Sequence, residues 1–391
     1  MKLRTLVQAG FVALTLYGVF FVGANAERWC PFGGVEAIYT YATEGNLLCS
    51  LGVSNFYVMA AVLISVLLFR RAFCGYVCPI GAISEWVRKL GLSLGLKRRR
   101  IHRGPDAALS LLKYPVLAVI LFFTWRTSEL VFRGYDPCYA LLGRHGEDIT
   151  FWAYVISGAI LLLSLAISVP FCRWLCPLAA VLNPFSRFGA TRIVRDAATC
   201  TDCGKCAKVC PMAIPVDTAP AVTHARCTTC LDCVDACPSR KGVTSLTLRM
   251  PGSSGGGLRR AAVVAGLLLV LAASVSAAYL APLPSFVWSR GEMPADTESV
   301  DLMIDGLACR GSANRLVYFL TREDDISIEG PIRVEAWPGP GFVRAVITWE
   351  AGATDPATVK AAIVEPCWDE VTERWREADF TIEGYDPLSF D

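Results

Sequence analysis

The sequence predicts an α-helical membrane bundle of five spanning helices. A cysteine-rich module follows on one face of it, and an acidic α+β domain comes after the last helix. Three observations predict this: five long apolar stretches, two strictly spaced cysteine runs, and a swing in charge along the chain. The 391 residues are 54% hydrophobic and only 18% charged, with a mean hydropathy of +0.44. That is too apolar for one soluble domain and calls for membrane segments beside soluble ones. The net charge of +2 hides two opposite halves. Residues 1–284 hold 28 Lys and Arg against 14 Asp and Glu, a net of +14, while residues 285–391 hold 9 against 21, a net of −12. Two environments follow from that asymmetry.

The apolar stretches run over about 5–25, 51–69, 107–125, 151–171 and 261–282. Each is long enough for a hydrocarbon core of about 30 Å, which takes roughly 20 helical residues. Lys113 and Pro115 interrupt the third. The first follows Lys2 and Arg4 and ends Ala24-Asn25-Ala26, which has the look of a signal-peptide cleavage site. The apolar run exceeds a usual signal core, so a retained helix is expected. Lys and Arg placement sets the orientation. Arg70, Arg71, Arg88, Lys89, Lys97, Arg98, Arg99, Arg100 and Arg103 follow the second stretch, and the basic segment 172–260 ends Arg259-Arg260. Both are expected in the cytoplasm, with loops 27–50 and 126–150 and the acidic segment 285–391 outside.

An internal repeat runs through the bundle. Cys74-Gly-Tyr-Val-Cys78-Pro79 and Cys172-Arg-Trp-Leu-Cys176-Pro177 each follow an apolar stretch and a Phe, and the preceding outside loops carry Cys30 and Cys138. Parallel repeats in membranes imply a pseudo-two-fold axis along the membrane normal. Both Cys-x3-Cys-Pro ends then meet at the cytoplasmic surface of a four-helix core, residues 1–190.

Seventeen cysteines are many for an apolar chain, and eight of them carry the chemistry. Cys200-x2-Cys203-x2-Cys206-x3-Cys210-Pro211 recurs as Cys227-x2-Cys230-x2-Cys233-x3-Cys237-Pro238. Soft thiolates at this spacing are the bacterial two-cluster ferredoxin run, in which the fourth cysteine ligates the other cluster. Cys200, Cys203, Cys206 and Cys237 are expected to hold one [4Fe–4S] cluster, and Cys227, Cys230, Cys233 and Cys210 the second, in a module over residues 191–250. Zinc would use separated cysteine pairs rather than a triplet plus one, twice. Ser253 to Gly257 then reads as a flexible linker, so residues 251–284 form linker and fifth helix.

The other cysteines leave alternatives. Cys74, Cys78, Cys172 and Cys176 supply four thiolates for a further metal or cluster, or are buried structural thiols. Cys30, Cys49 and Cys138 face an oxidising side, where a Cys30–Cys49 disulfide and a second redox site both fit. His102, His145 and His224 are the only histidines and no Cys-x2-Cys-His occurs, which argues against multi-haem chemistry. No acid–base pair or nucleophile constellation stands out, so no catalytic residue is expected, and no nucleic-acid partner.

In residues 285–391 the order strand 299–306, helix 309–321, strand 332–337, strand 342–349, helix from 355 and strand 379–384 predicts a split βαβ, ferredoxin-like sandwich. The turn Gly306-Leu307-Ala308-Cys309-Arg310-Gly311-Ser312-Ala313 resembles the metal-binding turn of heavy-metal-associated domains, with Ser312 where the second Cys belongs. A single thiol at Cys309 is a poor soft-metal clamp, and Cys367 beyond Pro366 is an awkward partner for it.

Trp29-Cys30-Pro31-Phe32-Gly33, the two Cys-x3-Cys-Pro motifs, Tyr135-Asp136-Pro137 and the twin cluster run together resemble the membrane polyferredoxin family over about residues 1–250. That family includes NapH-type quinol-dehydrogenase subunits and the membrane core of NosR-type proteins. The resemblance implies four helices, cytoplasmic clusters and a role linking the quinone pool or a cytoplasmic donor to a periplasmic redox protein across the bacterial inner membrane. A quinone site is implied without residues of its own; Trp86, Trp125, Arg126 and loop 97–103 simply sit where interfacial groups gather. The fifth helix and the acidic domain are additions to the NapH-type layout. Two other functions fit the same motifs: a copper-reducing assembly factor similar to CcoG-type polyferredoxins, and a redox sensor.

Overall fold

The computed structural model describes residues 3–22, 30–44, 54–97, 99, 101–127, 131–143, 149–240, 243–251, 257–322, 328, 330–369, 374–376 and 379–385. Cys49, Trp29, the Ala24–Ala26 segment, Arg98, Arg100, His145 and linker residues 253–256 lie outside them. The chain divides into two compact units. One comprises Met1–Glu36 with Ser54–Ala277, the other Ala37–Val53 with Ala278–Asp391.

The first unit begins with α1 (Leu3–Tyr17), continued by a π-helical turn Gly18–Val22, then α2 (Pro31–Glu44) and α3 (Ser54–Phe69). A one-turn helix α4 (Ala72–Tyr76) leads into α5 (Pro79–Ser93), followed by α6 (Arg103–Leu109), α7 (Lys113–Thr127) and the short α8 (Pro137–Leu142). The second half repeats the pattern: α9 (Phe151–Ala166), the one-turn helix α10 (Pro170–Trp174) and α11 (Pro177–Arg187). Leu3–Val22, Arg103–Thr127 and α14 (Arg260–Leu280) are long and apolar enough to cross a membrane. Helices α3 and α9 have 16 residues each, about 24 Å of rise.

The stretch expected as one helix over 151–171 stops at Ala166, a correction with a local cause. Ile167 is extended, Val169 sits at φ +43° and Pro170 opens the next helix. Proline disfavours helical backbone in the residue before it, and a β-branched residue at positive φ is strained. Arg70, at φ +55°, makes the equivalent break before α4. The repeat is thus structural: helix, left-handed residue, one-turn helix with the first Cys, extended second Cys, proline-started helix.

Strand β1 (Arg192–Arg195) lies between β2 (Ala221–Val222) and β5 (Leu246–Arg249), all antiparallel, and β3 (Ser239–Arg240) pairs with β4 (Val243–Thr244). One-turn helices α12 (Lys205–Val209) and α13 (Asp232–Asp235) complete the cysteine-rich module. Bundle and module share one hydrophobic core. Val62, Val66, Tyr76 and Leu182 pack in the same cluster as Ile193, Val216, Leu246 and Leu248. Helix α14 joins it through Val263, Val264 and Leu267. A Cβ on Gly266 would lie 2.5 Å from the Phe69 ring, so glycine permits that close packing.

In the second unit β6 (Phe286–Arg290), β7 (Thr297–Asp305), β8 (Ile332–Ala336), β9 (Val343–Glu350) and β12 (Thr381–Ile382) form one antiparallel sheet in the order β12-β7-β9-β8-β6. Strands β10 (Cys367–Asp369) and β11 (Arg374–Arg376) make a separate hairpin. Helices α15 (Arg310–Thr321) and α16 (Pro356–Val364) bury Leu316, Leu320, Val359 and Ile363 in one core with Ile304, Ile347 and the fully buried Trp349. With β6 set aside, the strand order is that of a split βαβ sandwich; β6 is an added edge strand.

Candidate metal centres

The two Cys-x2-Cys-x2-Cys loops share an unusual backbone. Asp202 and Gly204 in the first, and Thr229 and Leu231 in the second, all have positive φ. Alternating left-handed residues turn successive N–H groups inward, forming a concavity that favours anionic groups. Glycine takes this conformation freely at 204. Thr229 and Leu231 take it at a cost, a strain of the sort that concentrates at functional sites. The N–H of Lys205 points at Cys203 sulfur and that of Thr229 at Cys227 sulfur.

The fold gathers the eight thiols into two sets. Cys200, Cys203, Cys206 and Cys237 line one cavity, and Cys210, Cys227, Cys230 and Cys233 line another. Each cavity leaves about 20 Å³ for the centre of a water-sized sphere. Among the described residues no three His, Cys, Asp or Glu side chains converge on a point that would hold a single metal ion. Four soft donors set around a space fit a polynuclear iron–sulfur group better than a lone zinc.

The two cavities differ in surroundings. Arg195, Asp202 and Asp217 line the first, where Cys203 is exposed. Ile193, Met212, Ile214, Val216 and Val222 line the second, where Cys227, Cys230 and Cys233 are buried. Backbone N–H donation from Lys205 draws the Cys203 thiol below its ordinary range, while burial pushes the Cys230 thiol up to about 12. His224, behind the second cavity, is lowered to about 4 by burial and then by the Arg226 charge, and its Nδ1 accepts the Arg226 N–H at 3.2 Å.

The second cavity rests on the bundle. Arg71 N–H donates to the Cys227 carbonyl at 3.2 Å, and Thr229 Oγ1 donates to the Phe69 carbonyl at 2.8 Å. Tyr76 hydroxyl donates to the Thr229 carbonyl at 3.3 Å. A Cβ on Gly75 would meet the Thr228 carbonyl oxygen at 3.0 Å, so glycine lets α4 lie against this loop. Buried charges fasten the junction. Arg70 donates to the carbonyls of Thr191, Ser186 and Thr223. Asp106 accepts from Arg173, Trp174 and Arg226. Arg4 of α1 donates to Gly75, Asp232 and Glu85. Sequence reasoning took Arg70, Arg71 and Arg88 only as topogenic loop charges and passed over Asp106; the structure buries all four. The one available signal was an acidic residue at the start of an apolar stretch.

The bundle cysteines also converge. Cys74 lies on α4 and Cys172 on α10, both buried, and Arg71 Nη2 approaches Cys74 Sγ at 4.0 Å. Cys172 feels Cys78, Cys176 and Cys74 electrostatically. Of the outer-loop cysteines, expected on the far side from these, Cys138 lies near them. Helix α8 packs on α5 and α9, and Cys138 lies within electrostatic reach of Cys78, Cys30 and Cys176. Asp136 caps α8 by accepting the Cys138 N–H at 2.9 Å. Among the described residues Cys30 is in no disulfide; Cys49 lies outside them. In the second unit Cys309 is exposed and caps α15. Ser312 accepts the Cys309 N–H at 2.9 Å, so the residue standing in the place of a second cysteine completes a capping box. Gly306, at φ +88°, faces Asp379, whose carbonyl oxygen would lie 2.1 Å from an added Cβ; the tight turn is a packing requirement.

Comparison with known proteins agrees with this geometry. A family profile described as a 4Fe-4S binding domain matches residues 51–102 and 149–195, and one described as a 4Fe-4S dicluster domain matches 192–238. The ferredoxin-type protein NapH of Escherichia coli is 30% identical over 215 residues, 51% of this chain and 69% of that one. YccM of the same organism is 31% identical over 202 residues, 49% of this chain and 55% of its own length. The methylamine utilization ferredoxin-type protein MauN of Methylobacillus flagellatus is 27% identical over 190 residues, 46% and 60%. The chain thus spans little more than half the length of two of these relatives. No solved structure matches. Fold and site together define an iron–sulfur electron-transfer protein of the membrane. The chain belongs to the membrane polyferredoxin family, with NapH among its relatives.

Proposed function

We propose that this protein carries single electrons between a reduced donor, the quinone pool or a cytoplasmic reductant, and a redox partner on the far side of the bacterial inner membrane. The contact that supports this most directly is the Arg71 N–H bond to the Cys227 carbonyl, which joins the second four-cysteine cavity to the turn that bears Cys74. Cys200, Cys203, Cys206 and Cys237 hold one [4Fe–4S] cluster and Cys210, Cys227, Cys230 and Cys233 the other. When bound, such clusters supply reversible one-electron storage without proton chemistry. The protein's own residues do the rest. The left-handed loop residues aim N–H groups at the sulfurs, Arg195 offsets charge at the exposed cavity, and the apolar wall of Ile193, Met212 and Val222 keeps water from the buried one.

In this reading α3 and α9, each extended by its one-turn helix, join the three longer helices to make five crossings. The module is cytoplasmic and the acidic residues 285–391 are periplasmic, where they dock a redox protein. Cysteines at the two Cys-x3-Cys-Pro ends hold a further redox centre that continues the path into the bilayer. A copper-reducing role loses its motive at Cys309, because Ser312 is accounted for as a helix cap.

Anaerobic iron and sulfide quantitation, low-temperature EPR and turnover with a quinol analogue test the proposal. Two [4Fe–4S] signals that a quinol reduces support it. Two intact clusters with no turnover, and a partner bound in only one redox state, would instead make the protein a sensor.

A further inference from the structure

Four proline-started helices of the bundle each carry a cysteine at or just before the first turn. Cys30, Cys78 and Cys176 directly precede Pro31, Pro79 and Pro177 at the starts of α2, α5 and α11, and Cys138 follows Pro137 at the start of α8. Three of those helices have eleven residues or more. The sulfurs meet their first-turn N–H groups. Cys30 is approached by those of Phe32 and Gly33, Cys78 by those of Ile80 and Gly81, and Cys176 by that of Ala179. N–H groups directed at sulfur are what the two ferredoxin loops also supply, and such bonds stabilise thiolates bound to metal.

The Cys-x3-Cys-Pro units indicate how their thiols divide. In the ferredoxin module this unit splits: Cys206 lines one cavity and Cys210 the other, while Cys233 and Cys237 do the same in reverse. Cys210 leaves its one-turn helix at φ −61°, ψ 116°. Cys78 has −60°, 119° and Cys176 −61°, 116°, each also just after a one-turn helix. Packing brings three of the thiols together: Cys78, Cys138 and Cys176 all pack against the small cluster Ile80, Ile160 and Phe171, while Cys30, Cys78 and Cys176 also border the larger core that contains Cys74 and Cys172. Phe132 packs against the same cluster and meets Phe32, two residues after Cys30, edge to face at 5.1 Å. Cys138 in turn reaches Cys30, Cys78 and Cys176. Non-regular backbone within a bilayer survives only where protein buries it or a functional cavity needs it, and the segments that carry Cys30 and Cys138 meet that condition here.

We propose that Cys30, Cys78, Cys138 and Cys176 hold a third iron–sulfur cluster inside the bundle. Cys74 and Cys172, beside Arg71, then lie between that cluster and the module rather than ligating it. This rests on the reading above of the chain as an iron–sulfur carrier and names the thiols of its membrane centre.

The test uses the full-length protein, purified anaerobically in detergent, with iron, zinc and sulfide quantitation and low-temperature EPR. Wild type is compared with Cys30→Ser/Cys138→Ser and with Cys74→Ser/Cys172→Ser. Wild type is expected to hold iron beyond the eight atoms of two cubanes. The Cys30/Cys138 variant loses that excess and its signal completely, and the Cys74/Cys172 variant keeps both. The signals of the eight-cysteine module report folding in each sample. With the module's signals present, three results overturn the inference alone: no excess iron in wild type, excess retained in the Cys30/Cys138 variant, or zinc in place of iron. Absence of the module's own signals in wild type would instead overturn the carrier reading on which it rests.

Discussion

The two four-cysteine cavities descend from one repeated motif yet sit in opposite environments. The cavity of Cys200, Cys203, Cys206 and Cys237 has charged side chains in its lining and holds the exposed Cys203, and that of Cys210, Cys227, Cys230 and Cys233 is lined by aliphatic ones and holds three buried thiols. The difference teaches that position relative to the bundle, rather than the ligand motif, sets the character of each site. The loop of the second cavity lies on α4, and every hydrogen bond that secures it there makes it less accessible.

The contrast can be broken most severely at the thiols. Cys230→Ser is expected to lower the yield of folded protein sharply, because a cavity of buried thiols without its metal leaves a void in the shared core. Cys203→Ser is expected to leave a purifiable chain with about half the module's iron and the second site's EPR signal intact. Equal yields from the two would show that the environments do not matter. Next in size is Asp106→Asn. It leaves the guanidinium groups of Arg173 and Arg226 without their shared carboxylate in a buried site, a loss of about 3–5 kcal/mol. A lowered unfolding midpoint and new proteolytic cleavage near residue 226 would register it.

Gly75→Ala acts on one cavity alone. Its Cβ would press the Thr228 carbonyl, an overpacking cost of about 1–3 kcal/mol. The expected readout is a shifted second-site spectrum, slower reduction through the bundle and an unchanged first-site signal. The smallest effect belongs to Arg195→Ala at the first cavity, where Arg195 donates to Asp202 at 3.0 Å and to Cys200 at 3.5 Å. Redox titration is expected to move only the first site, to lower potential, with no change in unfolding midpoint.

Much of this arrangement was legible in residue order. Thiolate spacing alone divides the eight ferredoxin cysteines into two sets, and the cavities group them the same way, because a cubane's ligands are largely local in sequence. Alternation and apolar runs outlined the α+β domain, missing the edge strand β6 and the β10–β11 hairpin. Less legible were the ends of α3 and α9. Hydropathy continues through Ser168-Val169-Pro170, while backbone sterics stop the helix at Ala166. The turn at Cys309 is ambiguous for a related reason: a serine three residues after an N-cap and a vacated metal ligand are identical in sequence.

What the sequence by itself determined is the chemistry: soft thiolates in two interlocking quartets, apolar segments to cross a bilayer, and a basic and an acidic half. Those follow from residue type and short spacing, which need no fold to be read. Only the tertiary structure decided which charges are structural, which thiols are buried, and that Cys138 lies within electrostatic reach of Cys30, Cys78 and Cys176. Each of these depends on contacts between segments dozens of residues apart, such as Arg4 with Asp232 or Asp106 with Arg226. Burial, which gives such pairs their strength, is a property of packing in three dimensions that no local pattern encodes.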